Sequence, residues 1–162
     1  TGVTYKPLGV ITGIRVTMPT SVDPSRLKLT GEDGDQGALL GFRCRDCGVY
    51  IFGPAVFCQA CTSGNMQSIE FGSSGVLYSY TVVRVPPAGW PGPVPYILGE
   101  IELPEGPHVL SEVIDCPESE VKIGMSVELA LQSIKTDDSE ESMVVYKWRP
   151  LSTNVVTVRE TP

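Results

Sequence analysis

Cys44, Cys47, Cys58 and Cys61 stand in the order C-x2-C-x10-C-x2-C within FRCRDCGVYIFGPAVFCQACTSG, residues 42–64. A closely spaced cysteine pair lets one tight turn aim two sulfurs the same way. Two such knuckles facing each other supply four thiolates to one Zn2+ at roughly 2.3 Å each. Glycine follows one pair directly in CRDCG and lies three residues after the other in CQACTSG, as expected where the chain turns tightly around sulfur. Four protein ligands complete the tetrahedron and leave no position for water or substrate, so a centre of this kind is structural. It also supplies folding free energy to a segment too short to hold a core of its own. Two disulfides and a rubredoxin-like iron are the competing occupants of the spacing, and zinc is the expectation. The fifth cysteine, Cys116, makes the count odd, which does not fit a closed disulfide framework.

Other chemistry is sparse. His108 is the single histidine of the chain, at a turn entering a strand in EGPHVL. A Cys116–His108 dyad would need the two side chains to meet and an oxyanion site beside them, and an inert thiol is the expected reading of Cys116. The chain carries no HExxH, G-x-S-x-G, P-loop or GxGxxG pattern. The acidic pairs Asp137–Asp138 and Glu140–Glu141 are sequence neighbours in one loop, where adjacent side chains diverge. No self-contained active site is expected.

The elements that must position these residues read as mainly β. Residues 1–37 form an N-terminal arm: an alternating stretch, GVITGIRVTM, and then PTSVDPSRLKLTGEDGDQG, which is rich in turn residues and reads as having little capacity to bury surface. Residues 38–70 carry the zinc ribbon. Residues 71–150 hold five runs rich in Val, Ile, Leu and Tyr: GVLYSYTVVRV, PYILGEIEL, HVLSEVIDC, SVELALQSI and MVVYKWRPL. Five strands is the count of an OB-fold barrel. DCPESEVKIGM, between the third and fourth, is expected to contain a short helical turn, and KTDDSEES is expected to be a solvated hairpin loop. Residues 151–162 are a C-terminal tail.

Between the first two barrel runs lies VPPAGWPGPVPY, residues 85–96, with five prolines and one of two tryptophans. Stiffened by proline, this loop either presents Trp90 to a ligand or partner, or folds it back to plug the barrel mouth. It lies where OB-folds commonly meet ligands. Nucleic acid is disfavoured. The formal net charge is −7, only 12 Lys and Arg are spread over 162 residues, and a phosphate backbone is bound by clustered cations. Tyr78, Tyr80 and Tyr96 could stack bases, but Arg84 and Lys147 are opposed by Glu100, Glu102, Glu112 and Glu128. No apolar run approaches a membrane span, and the opening TGVTYKPLGVITG lacks the pattern of a secretory signal, so a cytoplasmic protein is expected.

Taken in order, GALLGFRCRDCG, FCQAC, GSSGVLYSYTVV, a loop ending VPY, KIGMSVEL and YKWRP resemble the OB-fold proteins with a rubredoxin-like zinc ribbon that associate with thiolase-superfamily enzymes. The resemblance covers roughly residues 38–150. It implies an accessory, non-catalytic subunit of a hetero-oligomer. Its partner would supply the catalytic cysteine and histidines, and this chain would help assemble the complex and shape the site of a coenzyme A thioester. Proteins of this kind occur in archaeal hydroxymethylglutaryl-CoA synthase complexes, steroid side-chain retro-aldolases, phloroglucinol acetyltransferases and two-subunit benzoylsuccinyl-CoA thiolase. A β-ketothiolase partner acting on an aromatic acyl-CoA is the preferred subclass. The metal role carries over to the four knuckle cysteines. Trp90, Pro95 and Tyr96 would face partner or acyl chain, and Arg84 would meet an acidic group of CoA or partner. The N-terminal arm departs from the family's short helical lead-in. A stand-alone nucleic-acid-binding or regulatory ribbon protein is the rival reading.

Overall fold

The computed structural model describes residues 19–31, 33–90, 92–135 and 142–151. The strands are β1 (Thr20–Ser21), β2 (Leu27–Leu29), β3 (Gly37–Cys44), β4 (Tyr50–Phe52), β5 (Met66–Glu70), β6 (Ser74–Val83), β7 (Tyr96–Glu102), β8 (His108–Val113), β9 (Ser126–Lys135) and β10 (Ser142–Pro150). No helix among the described residues is long and apolar enough to cross a membrane.

Five strands close a barrel. β7 lies antiparallel between β6 and β8, β9 pairs antiparallel with both β6 and β10, and β10 meets β8 in parallel at Trp148–Val113. Ile114 N–H donates to the Trp148 carbonyl at 2.8 Å, sealing that last seam. This is the OB-fold, on the five runs that the alternation of apolar and polar residues marked. The alternation also sets the faces: Leu77, Ile97, Ile101, Val109, Val113, Val127, Val144 and Trp148 point inward and are buried. A shift of register between Leu77 and Ser79 lets β6 bend round the barrel. Gly75 is forced by packing, because a Cβ there would lie 2.5 Å from Ile101 Cγ2. Between β8 and β9, Glu120 and Val121 N–H both return to the Pro117 carbonyl, the single helical turn expected there. The hairpin joining β9 to β10 passes through residues 136–141, which lie outside the described residues.

β3 is the spine of the ribbon, pairing antiparallel with β2 and β4 in its first and second halves and with β5 along Leu40–Cys44. The passage read as having little capacity to bury surface does bury some: Leu27 is 1% exposed and belongs to one core with Leu39, Phe71 and the inward barrel residues. A turn organised by Asp23, whose carbonyl accepts from Arg26 and Leu27 N–H and whose Oδ1 accepts from Ser25 N–H, delivers Leu27 to that position. β1 meanwhile runs parallel to β10 at Met143–Val144. Residues 19–29 thus touch ribbon and barrel at once. The alternating stretch GVITGIRVTM, residues 9–18, lies outside the described residues.

Candidate functional site

The four knuckle sulfurs converge, all lying within 4.8 Å of one another. Cys44 Sγ is 3.6 Å from Cys61 Sγ, and Cys47 Sγ is 3.4 Å from Cys58 Sγ. Thiolates around a tetrahedral zinc lie about 3.8 Å apart, whereas a disulfide needs about 2.05 Å, so the donor set fits the metal and not two bridges. Each knuckle is tied by its own backbone. Cys44 N–H donates to the Val49 carbonyl and Gly48 N–H to the Cys44 carbonyl; Cys58 N–H donates to Ser63 and Thr62 N–H to Cys58. N–H groups of Cys61 and Ala60 also point at Cys58 sulfur and lower its thiol well below the ordinary cysteine value, while Cys47 and Cys61, facing the other sulfurs, are raised, so Cys58 is the first of the four to offer a thiolate.

The two knuckles share a conformation but not a residue type. The position after the second cysteine is left-handed in both: Gly48 at φ 79° and Thr62 at φ 60°. The glycine expected to ease the second turn, Gly64, is not the residue that takes it. A β-branched residue at positive φ is a true outlier, and Thr62 is held there by the fold around it, its hydroxyl donating to the Cys61 carbonyl at 2.7 Å. A cross-tie absent from the sequence reading joins the knuckles. Asp46 accepts from Ser63 Oγ at 2.5 Å and Asn65 Nδ2 at 2.9 Å, and these bonds hold its carboxyl below the usual range.

The proline-rich loop does not place Trp90 in the barrel. Its indole stacks on Tyr96 with ring centroids 4.3 Å apart and an 18° tilt, and Val94–Pro95 is a cis peptide. Beside that stack lies a cleft of ≈ 350 Å³ whose lining includes Val82, Pro95, Tyr96, Ile97, Val113 and Cys116. Loop and thiol therefore share one surface, a juxtaposition that local sequence signals do not carry. Arg84 forms an exposed ion pair with Glu118 across the cleft's edge. Lys147 is paired with Glu112 at 2.6 Å, both side chains largely covered. The two cations read as accompanying the barrel strands are thus both neutralised.

His108 and Cys116 are not brought together. His108 Nδ1 bonds Glu100 Oε1 at 2.8 Å, and the ring packs against Tyr78 at 4.6 Å. The contact of Cys116 is with the Pro117 carbonyl, and burial, with Glu120 nearby, raises its thiol above the ordinary value.

This arrangement of ribbon and barrel has relatives. The chain is 33% identical over 116 residues to a DUF35 domain-containing scaffold protein of Methanocaldococcus jannaschii, an alignment covering 70% of this chain and 82% of that one. The chain belongs to the DUF35 family. Residues 69–132 match the family described as ChsH2, C-terminal OB-fold domain. A benzoylsuccinyl-CoA thiolase subunit BbsA, of Thauera aromatica, is 27% identical over 119 residues, 74% of this chain and 81% of that subunit. Among solved structures, a chain of the Ltp2-ChsH2(DUF35) aldolase superposes with a TM-score of 0.56 at 26% identity, covering 70% of this chain and 84% of that one.

Proposed function

We propose that this protein is a non-catalytic scaffold subunit of a cytoplasmic, heteromeric thiolase-type enzyme that makes or breaks a carbon–carbon bond in an acyl-CoA. The observation that carries the reading is the similarity to a benzoylsuccinyl-CoA thiolase subunit along 81% of that subunit's length. Supporting it, the one cluster of ligating side chains among the described residues is a closed four-thiolate set suited to structure, and His108 and Cys116 are engaged elsewhere. The partner supplies the nucleophile and the base.

In this reading Cys44, Cys47, Cys58 and Cys61 hold zinc, and the stacked Trp90–Tyr96 pair with Pro95 forms the wall turned to partner or acyl group. Arg84 has an exposed pair with Glu118, worth little net free energy, so it can exchange that carboxylate for an anionic group of CoA or partner at small cost. An aromatic acyl-CoA handled by a β-ketothiolase is the preferred subclass. The test is co-purification of tagged protein from its source, with metal analysis and an acyl-CoA cleavage assay on aromatic and aliphatic β-ketoacyl thioesters. The expected result is about one zinc per chain and a thiolase-type chain whose activity requires this subunit. Recovery of the protein alone, or with nucleic acid and no acyl-CoA activity, overturns the reading.

A further inference from the structure

The loop that leads into Cys58 carries two consecutive large apolar side chains in solvent, Val56 at 76% and Phe57 at 63% exposure. Single exposed apolar residues are ordinary, but this pair adjoins a metal ligand. Cys58 is buried, and its backbone is bonded on both sides of the knuckle, so Phe57 is held on a rigid turn. Its ring lies over Gly64, where a Cβ would be 3.6 Å from Phe57 Cε1. The carbonyl of the next residue, Asn65, accepts from Arg45 N–H at 2.9 Å, so the first knuckle's backbone runs against the segment that Phe57 covers.

Unpaired arginines mark the same end. Arg26, Lys28, Arg84, Lys147 and Arg149 each sit against a carboxylate. Among the described residues, Arg43, Arg45 and Lys122 have no ion pair; the two arginines both lie on the ribbon, and the guanidinium of Arg43 lies over the Tyr50 ring at 5.5 Å. The two acids within residues 38–70 are committed: Asp46 to Ser63 and Asn65, and Glu70 to Lys28. A chain of net charge −7 therefore presents an apolar and cationic tip on its ribbon. An aromatic on a fixed turn, with unpaired arginines on the same ribbon, has the composition of an interface hot spot and loses little entropy on docking.

We propose that the ribbon tip, with Phe57 and Val56 as anchor and Arg45 on the facing knuckle, docks on the catalytic subunit, in an apolar pocket bordered by carboxylates. This rests on the reading of the chain as a scaffold subunit. The thiolase-type chain recovered with tagged wild type is purified and titrated against wild type, Phe57→Ser, Arg45→Glu and a barrel control, Tyr78→Ser. Phe57→Ser raises Kd at least tenfold. Arg45→Glu does so at low salt, with the difference shrinking as salt screens it, and Tyr78→Ser binds as wild type. Zinc content and melting stay unchanged in all of them. Protection of Phe57 from hydroxyl-radical oxidation in the wild-type complex reports the same contact without a variant. If a thiolase-type chain is recovered but Phe57 stays reactive, or the loss is confined to Tyr78→Ser, the docking assignment fails while the functional reading stands. If no such chain is recovered, both fail.

Discussion

At the scale of single residues, environment separates the five cysteines into two chemistries. Four are gathered within ligand distance of one point. The fifth lines a cleft that also carries Glu112, Asp115 and Glu118 and keeps its proton, since burial and Glu120 both disfavour the thiolate. A raised pKa leaves less thiolate at neutral pH than an ordinary cysteine has, and the thiolate is the nucleophile. Iodoacetamide labelling of the zinc-loaded protein at pH 7.5, mapped by mass spectrometry, is therefore expected to modify Cys116 more slowly than free glutathione. Its rate should still be climbing above pH 9. Labelling faster than glutathione would restore Cys116 as a candidate nucleophile. Thr62 is the second case. Left-handed backbone costs a non-glycine residue of order 1–3 kcal/mol, and its φ of 60° is offset only in part by the hydroxyl bond to Cys61. Zinc retention against a competing chelator is expected to rank Gly above Thr above Val at this position, because Val keeps the branched Cβ and loses the hydroxyl. Glycine worse than threonine would show that the hydroxyl bond outweighs the strain.

At the scale of elements, the ribbon hairpins are packed to the point where a methyl group is too much. A Cβ on Gly41 would sit 2.2 Å from the Ile51 carbonyl oxygen and 2.5 Å from Phe71 Cε2. The first is backbone and cannot rotate away, so β3 and β4 must part. Gly41→Ala is expected to cost about 1–3 kcal/mol, as overpacking does, read as a lower urea midpoint, with weaker zinc retention because β3 ends in Cys44. Much of this architecture was legible beforehand. Cysteine spacing defines the knuckles because it is a local geometric constraint, and period-two alternation marks the five barrel strands because each buries one face. Tertiary partners were not legible. Leu27 and Leu29 in VDPSRLKLTG alternate over only two apolar positions, too short a run to announce that Leu27 joins Leu39 and the barrel residues in one core. The pairing of Arg84 with Glu118 and the stack of Trp90 on Tyr96 depend on how loops close in space. Thr62 was missed because glycine, the usual signal of left-handed backbone, stands two residues further on.

At the scale of the whole molecule, ribbon and barrel meet in one apolar cluster but are stabilised differently. The barrel strands form a closed hydrogen-bonded ring around Trp148, Ile101, Val109 and Val127, all fully buried. The ribbon contributes Leu39 to that cluster and packs Tyr50 and Phe52 of β4 against it, while its two knuckles, residues 44–49 and 58–65, offer mainly sulfur, turns and the Asp46 cross-tie. A segment of that composition cannot repay its chain entropy without the ion. Metal removal is therefore expected to act regionally. After treatment with a strong chelator, hydrogen exchange should lose protection at the knuckle amides of Cys44, Gly48, Cys58 and Thr62. Amides of β6 to β10 should keep theirs, because their hydrogen bonds and buried partners lie within the ring. In the thermal melt this separates a low, zinc-dependent transition from a higher one that zinc does not move. Simultaneous loss everywhere would instead make ribbon and barrel one cooperative unit, with Leu27, Leu39 and Phe71 as the coupling. Unchanged protection at all four knuckle amides would show that the cross-tie and turns suffice and that zinc is not structural. Because Phe57 owes its fixed position to Cys58, the regional outcome together with the proposed docking predicts that chelation releases the proposed catalytic partner while the barrel remains folded.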